Sequence, residues 1–430
     1  MQPQRPSRRR GNSLWLLATI AGLSLSVNGV ANAQSSLPRM TIDQMQYQGA
    51  FRLPSGNFGT SSANYSYGAI GYNPDRKSLY VAGNEQEGAI AEFAVPEIVN
   101  STSLGSLKTA GTPLQPFVNI TRKASIDVGQ GIRISGIFYS GGKLLVNVYR
   151  FYDQSPFLSK PTLILPNANN LQGSTPSGYI STGSGSAAAG WVSPIPQELQ
   201  AMLGGTHMCG FTASTARAIA YNTSEGPAAY SFNPVTAMAS NASSIGTTEL
   251  LHYSLDDGLV TREALYNNDH SNKLWTFVSE GSFGMVMPGT RTYMVLGGSG
   301  GHESGVAYGD PPYGGYKAYY PLDKNDRYPY YWLYDVNDFD KVRKGQMKSS
   351  AVRPYAYGKF NVPFSSTGNW TPVTGGSYDE TTGTLYLSIY RADSQSGGNP
   401  PVIVAYKVGT GTSPTPPVPS PTAPANVKAQ

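Results

Sequence analysis

An all-β fold assembled from small repeated sheets, a β-propeller of about five to seven blades with loop insertions, is predicted by three observations. One short hairpin recurs four times, at 71–81, 138–146, 287–295 and 377–387, each time as a polar turn leading into a strand of Leu, Tyr, Val or Met. The composition is that of a β-rich chain, with 49 Gly, 32 Pro and 29 Tyr among 430 residues and only 13% charged. The stretch 34–408 has room for about five to seven units at roughly 40–50 residues per blade. An ordinary β-sandwich is the competing architecture, since the repeats diverge in length.

The first 33 residues divide into the zones of an export signal. Arg5, Arg8, Arg9 and Arg10 form a basic start, an apolar stretch runs from Leu14 to Val27, and Ala31 and Ala33 flank a small-residue cleavage site. A mature chain beginning at Gln34, secreted or periplasmic and without a membrane span, is expected. The overall balance is 31 Lys+Arg against 26 Asp+Glu, but four of the basic residues and none of the acidic ones lie in this segment. The remaining 27 against 26 removes the electrostatic case for a nucleic-acid partner.

Cys209 is the only cysteine, which excludes an intramolecular disulfide and a cysteine-based metal site. Burial as a small hydrophobe is its expected fate.

Strands are expected at 67–74, 79–81 and 89–95, then at 133–139 and 143–149. Later ones follow at 227–234, 284–288, 293–296, 373–379, 384–388 and 401–406. Small residues in an inner strand let it approach a central axis, while aromatics fill the gaps between neighbouring sheets. The segment 167–190, rich in Asn, Ser, Thr and Gly, is expected to be a mobile surface loop. A short helix is expected over 194–203, with Pro194 at its start, Glu198 in its first turn and Gly204 and Gly205 after its end. Another is expected from Asn337, with acidic residues first and basic residues last. Residues 409–430 are expected to form a Pro-rich, disordered tail.

The long connection 297–332 is rich in Gly and Tyr and carries His302, Glu303, Tyr308, Tyr313, Tyr316, Tyr320 and Trp332. Aromatic faces stack on sugar C–H faces, so this loop is the candidate glycan platform, with Tyr313, Tyr316, Tyr320 and Trp332 as ligand-binding residues. The plainer reading is that most of these rings fold back over their own sheet. Two Arg/Asp pairs follow strands at equivalent points, Arg150 with Asp153 and Arg391 with Asp393. Either the arginines meet a carboxylate-bearing sugar on one rim, or each pair braces its turn. None of His207, His252, His270 and His302 has a zinc-like spacing, so neither a metal nor another cofactor is expected.

The segments 67–74, 225–234, 330–338 and 375–386 are similar to a group of secreted bacterial β-propeller-like proteins, a likeness running from about Ile42 to Val408. The resemblance implies fold and export, and no catalytic residue. At the level of class only, the chain also resembles propeller polysaccharide lyases, in which His and Tyr act as acid and base while Arg neutralises a uronate. On that basis His302, His207, Tyr308 and Arg291 are the catalytic candidates by residue type. The leading expectation is a monomeric, exported propeller that binds an extracellular glycan or other polymer through its aromatic rim. A polysaccharide lyase or glycoside hydrolase and a structural cell-surface protein are the alternatives.

Overall fold

Each of the four recurrent hairpins joins the innermost strand of one sheet to its second strand. Ile70–Asn73 pairs with Ser78–Ala82, Ile132–Ser140 with Lys143–Arg150, Glu280–Val286 with Thr292–Gly300, and Val373–Asp379 with Thr384–Ile389. The structure, a computed structural model, describes residues 36–124, 131–153, 158–212, 219–220, 224–254, 256–315, 317–366 and 372–408. The expected export signal, the Pro-rich tail and Tyr316 lie outside the described residues, as does the side chain of Asp153.

Five antiparallel sheets are arranged in a ring, a five-bladed β-propeller. Blade 1 continues with Ala89–Ala94 and Gln115–Asn119. Blade 2 continues with Thr162–Leu165 and Tyr179–Thr182, and Ser244–Ile245 adds to its edge in parallel. Blade 3 consists of Trp191–Pro194, His207–Gly210, Ala229–Phe232 and Thr247–Leu251. Blade 4 continues with Arg327–Asp335 and Ala356–Lys359. Blade 5 adds Val402–Lys407, and its outermost strand is Gln46–Arg52 from the other end of the chain. That last pairing closes the ring, because the first strand cannot leave blade 5 without breaking six backbone partners from Gln46 to Arg52.

The inner strands lie side by side around the axis in the order of blades 1, 2, 3, 4, 5 and back to 1. They approach so closely that side chains are excluded at points between neighbouring blades. A Cβ on Gly136 would stand 1.8 Å from the Gly190 carbonyl oxygen between blades 2 and 3, and one on Gly375 would stand 2.5 Å from that of Gly68 between blades 5 and 1. Away from the axis the gaps widen and large rings fill them. Tyr80 stacks on Tyr139 between blades 1 and 2, and Tyr72 on Tyr386 between blades 1 and 5. Between blades 3 and 4 the Trp191 indole N–H donates to Tyr293, whose hydroxyl donates to the Ala228 carbonyl. Such ring pairs add about 0.5–1.5 kcal/mol each beyond the area they bury.

Blade 3 lacks the recurrent hairpin. The helix Gln197–Leu203 stands between its first two strands and ends on Gly204, whose φ of +77° suits glycine. The second expected helix forms as Val336–Arg343, capped by the Asp335 carboxylate accepting from the Asn337 N–H. The segment 167–190 is not the loose surface loop expected. It supplies the strand Tyr179–Thr182 and buries Ala168, Leu171 and Ala187–Ala189. Its backbone is held by Lys123, which donates to the carbonyls of Leu171, Gln172 and Ser174. Cys209 is fully buried, and burial pushes its thiol pKa well up.

Candidate functional site at the N-terminal mouth of the axis

All inner strands run in one direction, so the ring has two unlike mouths. The C-terminal ends of these strands carry the short recurrent turns, whereas the N-terminal ends are joined by long, irregular connections. Charged and aromatic side chains collect at the second of these.

Glu280 is the first residue of an inner strand that is buried along its whole length, and it is itself fully buried. A carboxylate there needs donors, since an uncompensated charge in the interior is costly. Tyr67, 213 residues away and just before the inner strand of blade 1, donates its hydroxyl to Glu280 Oε1. The Arg327 side chain, half-buried overall with its Nε buried, stands beside them. Burial lowers its pKa, while the charges of Tyr313, Tyr67 and Glu280 act in the opposite direction. The next residue along, Gly281, donates its N–H to Thr212 Oγ1 at 2.8 Å, which ties this strand to blade 3.

The cluster extends sideways into blades 5, 1 and 2. The ring of Tyr67 meets that of Tyr390 at 4.8 Å. The next residue, Arg391, lies over Tyr65 at 5.3 Å and over Tyr390 at 5.8 Å. Tyr65 and Arg391 both adopt left-handed backbone, with φ of +56° and +52°. Bulky residues are rarely held so, and such strain concentrates where geometry serves a ligand. Tyr390 titrates high, at about 12, from burial first and then the Glu85 charge, with Arg391 opposing. Glu85 in turn pairs with Arg133 at 3.2 Å, and Arg133 lies over the ring of Phe151.

The Tyr-rich insertion stands over this mouth from blade 4. Val306–Gly309 and Ala318–Pro321 form a hairpin on which Tyr308 faces Tyr319. Tyr319 stacks on Phe277 at 4.0 Å, so one side of the hairpin is anchored. Tyr308 is 56% exposed, and Tyr313 is 39% exposed with its hydroxyl donated to the Pro321 carbonyl. Tyr320 meets Tyr313 edge-on and is half-buried.

The predicted residues separate into two groups. Tyr308, Tyr313, Tyr320, Arg150 and Arg391 stand at this mouth or on the hairpin above it, with both arginines at the ends of second strands. Trp332 does not join them, because it is fully buried and its indole N–H donates to the Leu274 carbonyl.

The proposed catalytic set is dispersed. His302 is 1% exposed and both ring nitrogens are engaged, Nδ1 with the Asn272 carbonyl at 2.8 Å and Nε2 with Ser299 Oγ at 2.7 Å. The carbonyl accepts only, so Nδ1 carries the proton and Ser299 donates to Nε2. His207 lies towards the other mouth, opposite Pro194 and edge-on to Phe138, with burial pushing its pKa down to about 4. Arg291 also lies at that end, in the turn after an inner strand, sharing Asp335 with Arg39 at 3.1 and 2.9 Å. These three therefore occupy separate places and share no pocket.

For the second Arg/Asp pair the braced-turn reading changes. Asp393 accepts two bonds from Arg52, at 2.7 and 3.0 Å, leaving Arg391 to its aromatic neighbours. Among the described residues no group of three or more His, Cys, Asp or Glu is placed to hold a metal, and no helix is long and apolar enough to cross a membrane.

Sequence reasoning missed Glu280, Tyr67, Tyr65, Tyr390 and Arg327. One signal was present: Glu280 is a lone acid in an otherwise small and apolar inner strand.

No family model matches the chain, and no curated protein matches it. Among solved structures it is similar to a luciferin-regenerating enzyme, at 9% identity over 85% of this chain and 95% of that one, with a TM-score of 0.32. It is also similar to Raptor from Chaetomium thermophilum, at 11% identity over 89% of this chain and 30% of that one, with a TM-score of 0.31. Likeness at this level carries no argument about what the mouth binds.

Proposed function

We propose that this protein is an exported propeller whose N-terminal mouth binds an acidic extracellular polysaccharide. The observation that carries the reading is Arg391, which has no carboxylate partner among the described residues and lies over the rings of Tyr65 and Tyr390. Its guanidinium matches a sugar carboxylate in two parallel bonds, and Tyr65, 39% exposed, offers a face for the pyranose ring beside it. Tyr308 and Tyr313 supply further faces on the overhanging hairpin. Glu280, Tyr67 and Arg327 give this mouth a rigid polar floor. Export is supported by the zones of residues 1–33.

A second reading, cleavage of that polymer, is favoured by the Tyr67 and Glu280 pair with Arg327 beside it, which joins a proton carrier to a half-buried cation. Affinity electrophoresis on polyuronate, neutral glucan and sulfated glycan separates the possibilities. Retardation by polyuronate that is lost in Arg391→Ala supports binding, and no retardation by any of the three removes the proposal. An ultraviolet-absorbing unsaturated uronate that disappears in Tyr67→Phe would move the assignment to a lyase.

A further inference from the structure

At the opposite mouth the inner strands end around a cavity of about 130 Å³. Blades 1, 2, 3 and 5 contribute its walls, among them Tyr72, Phe138, Tyr139, Pro194, Tyr378 and Glu380. Its volume is close to that of a roughly 150 Å³ cavity able to hold benzene. The composition of the wall is one-sided. Four aromatic rings and two carboxylates, Asp379 and Glu380, line the cavity, and no Lys, Arg or His does.

The two acids are not equivalent. Asp379 is 3% exposed and occupied by its own turn, accepting from the Thr381 N–H and the Thr382 hydroxyl. Glu380 has no hydrogen-bond or ion-pair partner among the described residues. Burial of part of its side chain raises its pKa, and the Asp379 charge raises it further. A third acid, Asp75, accepts from the Tyr139 hydroxyl at the edge of the wall. The rings are held in place: Tyr139 is locked by its hydroxyl on Asp75, and Tyr72 by its backbone N–H on Ser377 Oγ at 2.9 Å and its ring against Tyr386.

A cage of electron-rich ring faces with uncompensated negative charge at its lip selects for a cation with an apolar coat. We propose that this C-terminal mouth is a second binding site, taking an organic ammonium group, with Tyr72, Phe138, Tyr139 and Tyr378 as the cage and Glu380 as its counter-ion. A hydrated metal ion fits less well, because the cavity offers rings where such an ion needs oxygen ligands. An anion is opposed by both carboxylates. The site is separate from the glycan mouth, so either can fail without the other.

Titration calorimetry on the full chain tests this with choline, with Nα-acetyl-lysine amide, and with 3,3-dimethylbutan-1-ol, the uncharged isostere of choline. Binding of either cation, with at least tenfold weaker binding of the alcohol, supports the site, and whichever cation binds more tightly indicates a free quaternary amine or a lysine side chain as the source. Glu380→Gln and Tyr378→Ala should each weaken the cation by about threefold to thirtyfold. Glu380 is exposed and Tyr378 half-buried, and unchanged near-ultraviolet circular dichroism shows that the variants remain folded. Equal binding of alcohol and choline, or no binding of either cation at millimolar concentration, overturns the proposal.

Discussion

The two mouths of the axis are built on opposite plans. At the C-terminal mouth, four of five blades use the same short turn, and side chains there mostly brace neighbouring strands. Arg291 joins Asp335, Asp379 caps its own turn, and Tyr139 is tied to Asp75. At the N-terminal mouth no two connections are alike, a carboxylate is fully buried, and two bulky residues are held in left-handed backbone. Repetition is the mark of what every blade needs in order to pack. Departure from repetition marks what a single ligand needs.

The sharpest way to break the contrast is at the axis, which both mouths share. Gly136→Val would place a Cβ 1.8 Å from the Gly190 carbonyl oxygen of the neighbouring blade. Loss of soluble, folded protein is expected, read as lost near-ultraviolet circular dichroism. A folded Gly136→Val protein would show that the axis is looser than these contacts require.

Within the Tyr-rich insertion and the strand after it, two aromatics should behave differently. Trp332→Ala should cost about 3–5 kcal/mol in urea unfolding, as removal of a fully buried ring does. Tyr308→Ala, exposed on the hairpin, should stay within about 0.5 kcal/mol. Equal losses would mean that the hairpin is core rather than rim.

The histidines give a pH signature. His207 titrates near 4 in the folded state against an ordinary 6.5, so the unfolded chain holds the extra proton between those values. Stability should therefore be complete above about pH 6.5 and fall as the pH drops towards 4, by on the order of 3 kcal/mol at most from this residue. His252 and His302 are shifted in the same direction by burial and add to the slope. Thermal melts of His207→Gln across this range should show a shallower loss than the parent, and identical slopes would contradict the assignment.

His302→Gln removes bonds at both ring nitrogens and should cost about 1–3 kcal/mol while leaving polyuronate retardation unchanged. Selective loss of retardation without loss of stability would return His302 to the site.

The sequence made the repetitive mouth legible because its turns are written locally, in contiguous Gly, Pro and Asp residues whose backbone preferences need no tertiary context. The helices Gln197–Leu203 and Val336–Arg343 were legible for the same reason, through their terminal residues. Segment 167–190 was misread because its buried positions depend on partners far away, such as Lys123 and Gln115. The polar mouth was hidden more deeply. Tyr67 and Glu280 meet only because the closed ring brings the inner-strand ends of blades 1 and 4 together across the axis, and Asp393 takes Arg52 rather than nearby Arg391 because the first strand docks on the last blade. Aromatic content pointed to the correct insertion, yet it could not distinguish the buried indole of Trp332 from the exposed ring of Tyr308.

The central claim, that polysaccharide binding belongs to the irregular mouth, is tested most directly by one paired measurement of polyuronate retardation. The double variant Tyr65→Ala/Arg391→Ala alters only exposed and half-exposed side chains of the N-terminal mouth, and Glu380→Gln alters the other mouth. The account predicts that retardation is lost in the first and kept in the second. Retention in the double variant, or loss in Glu380→Gln, would contradict it.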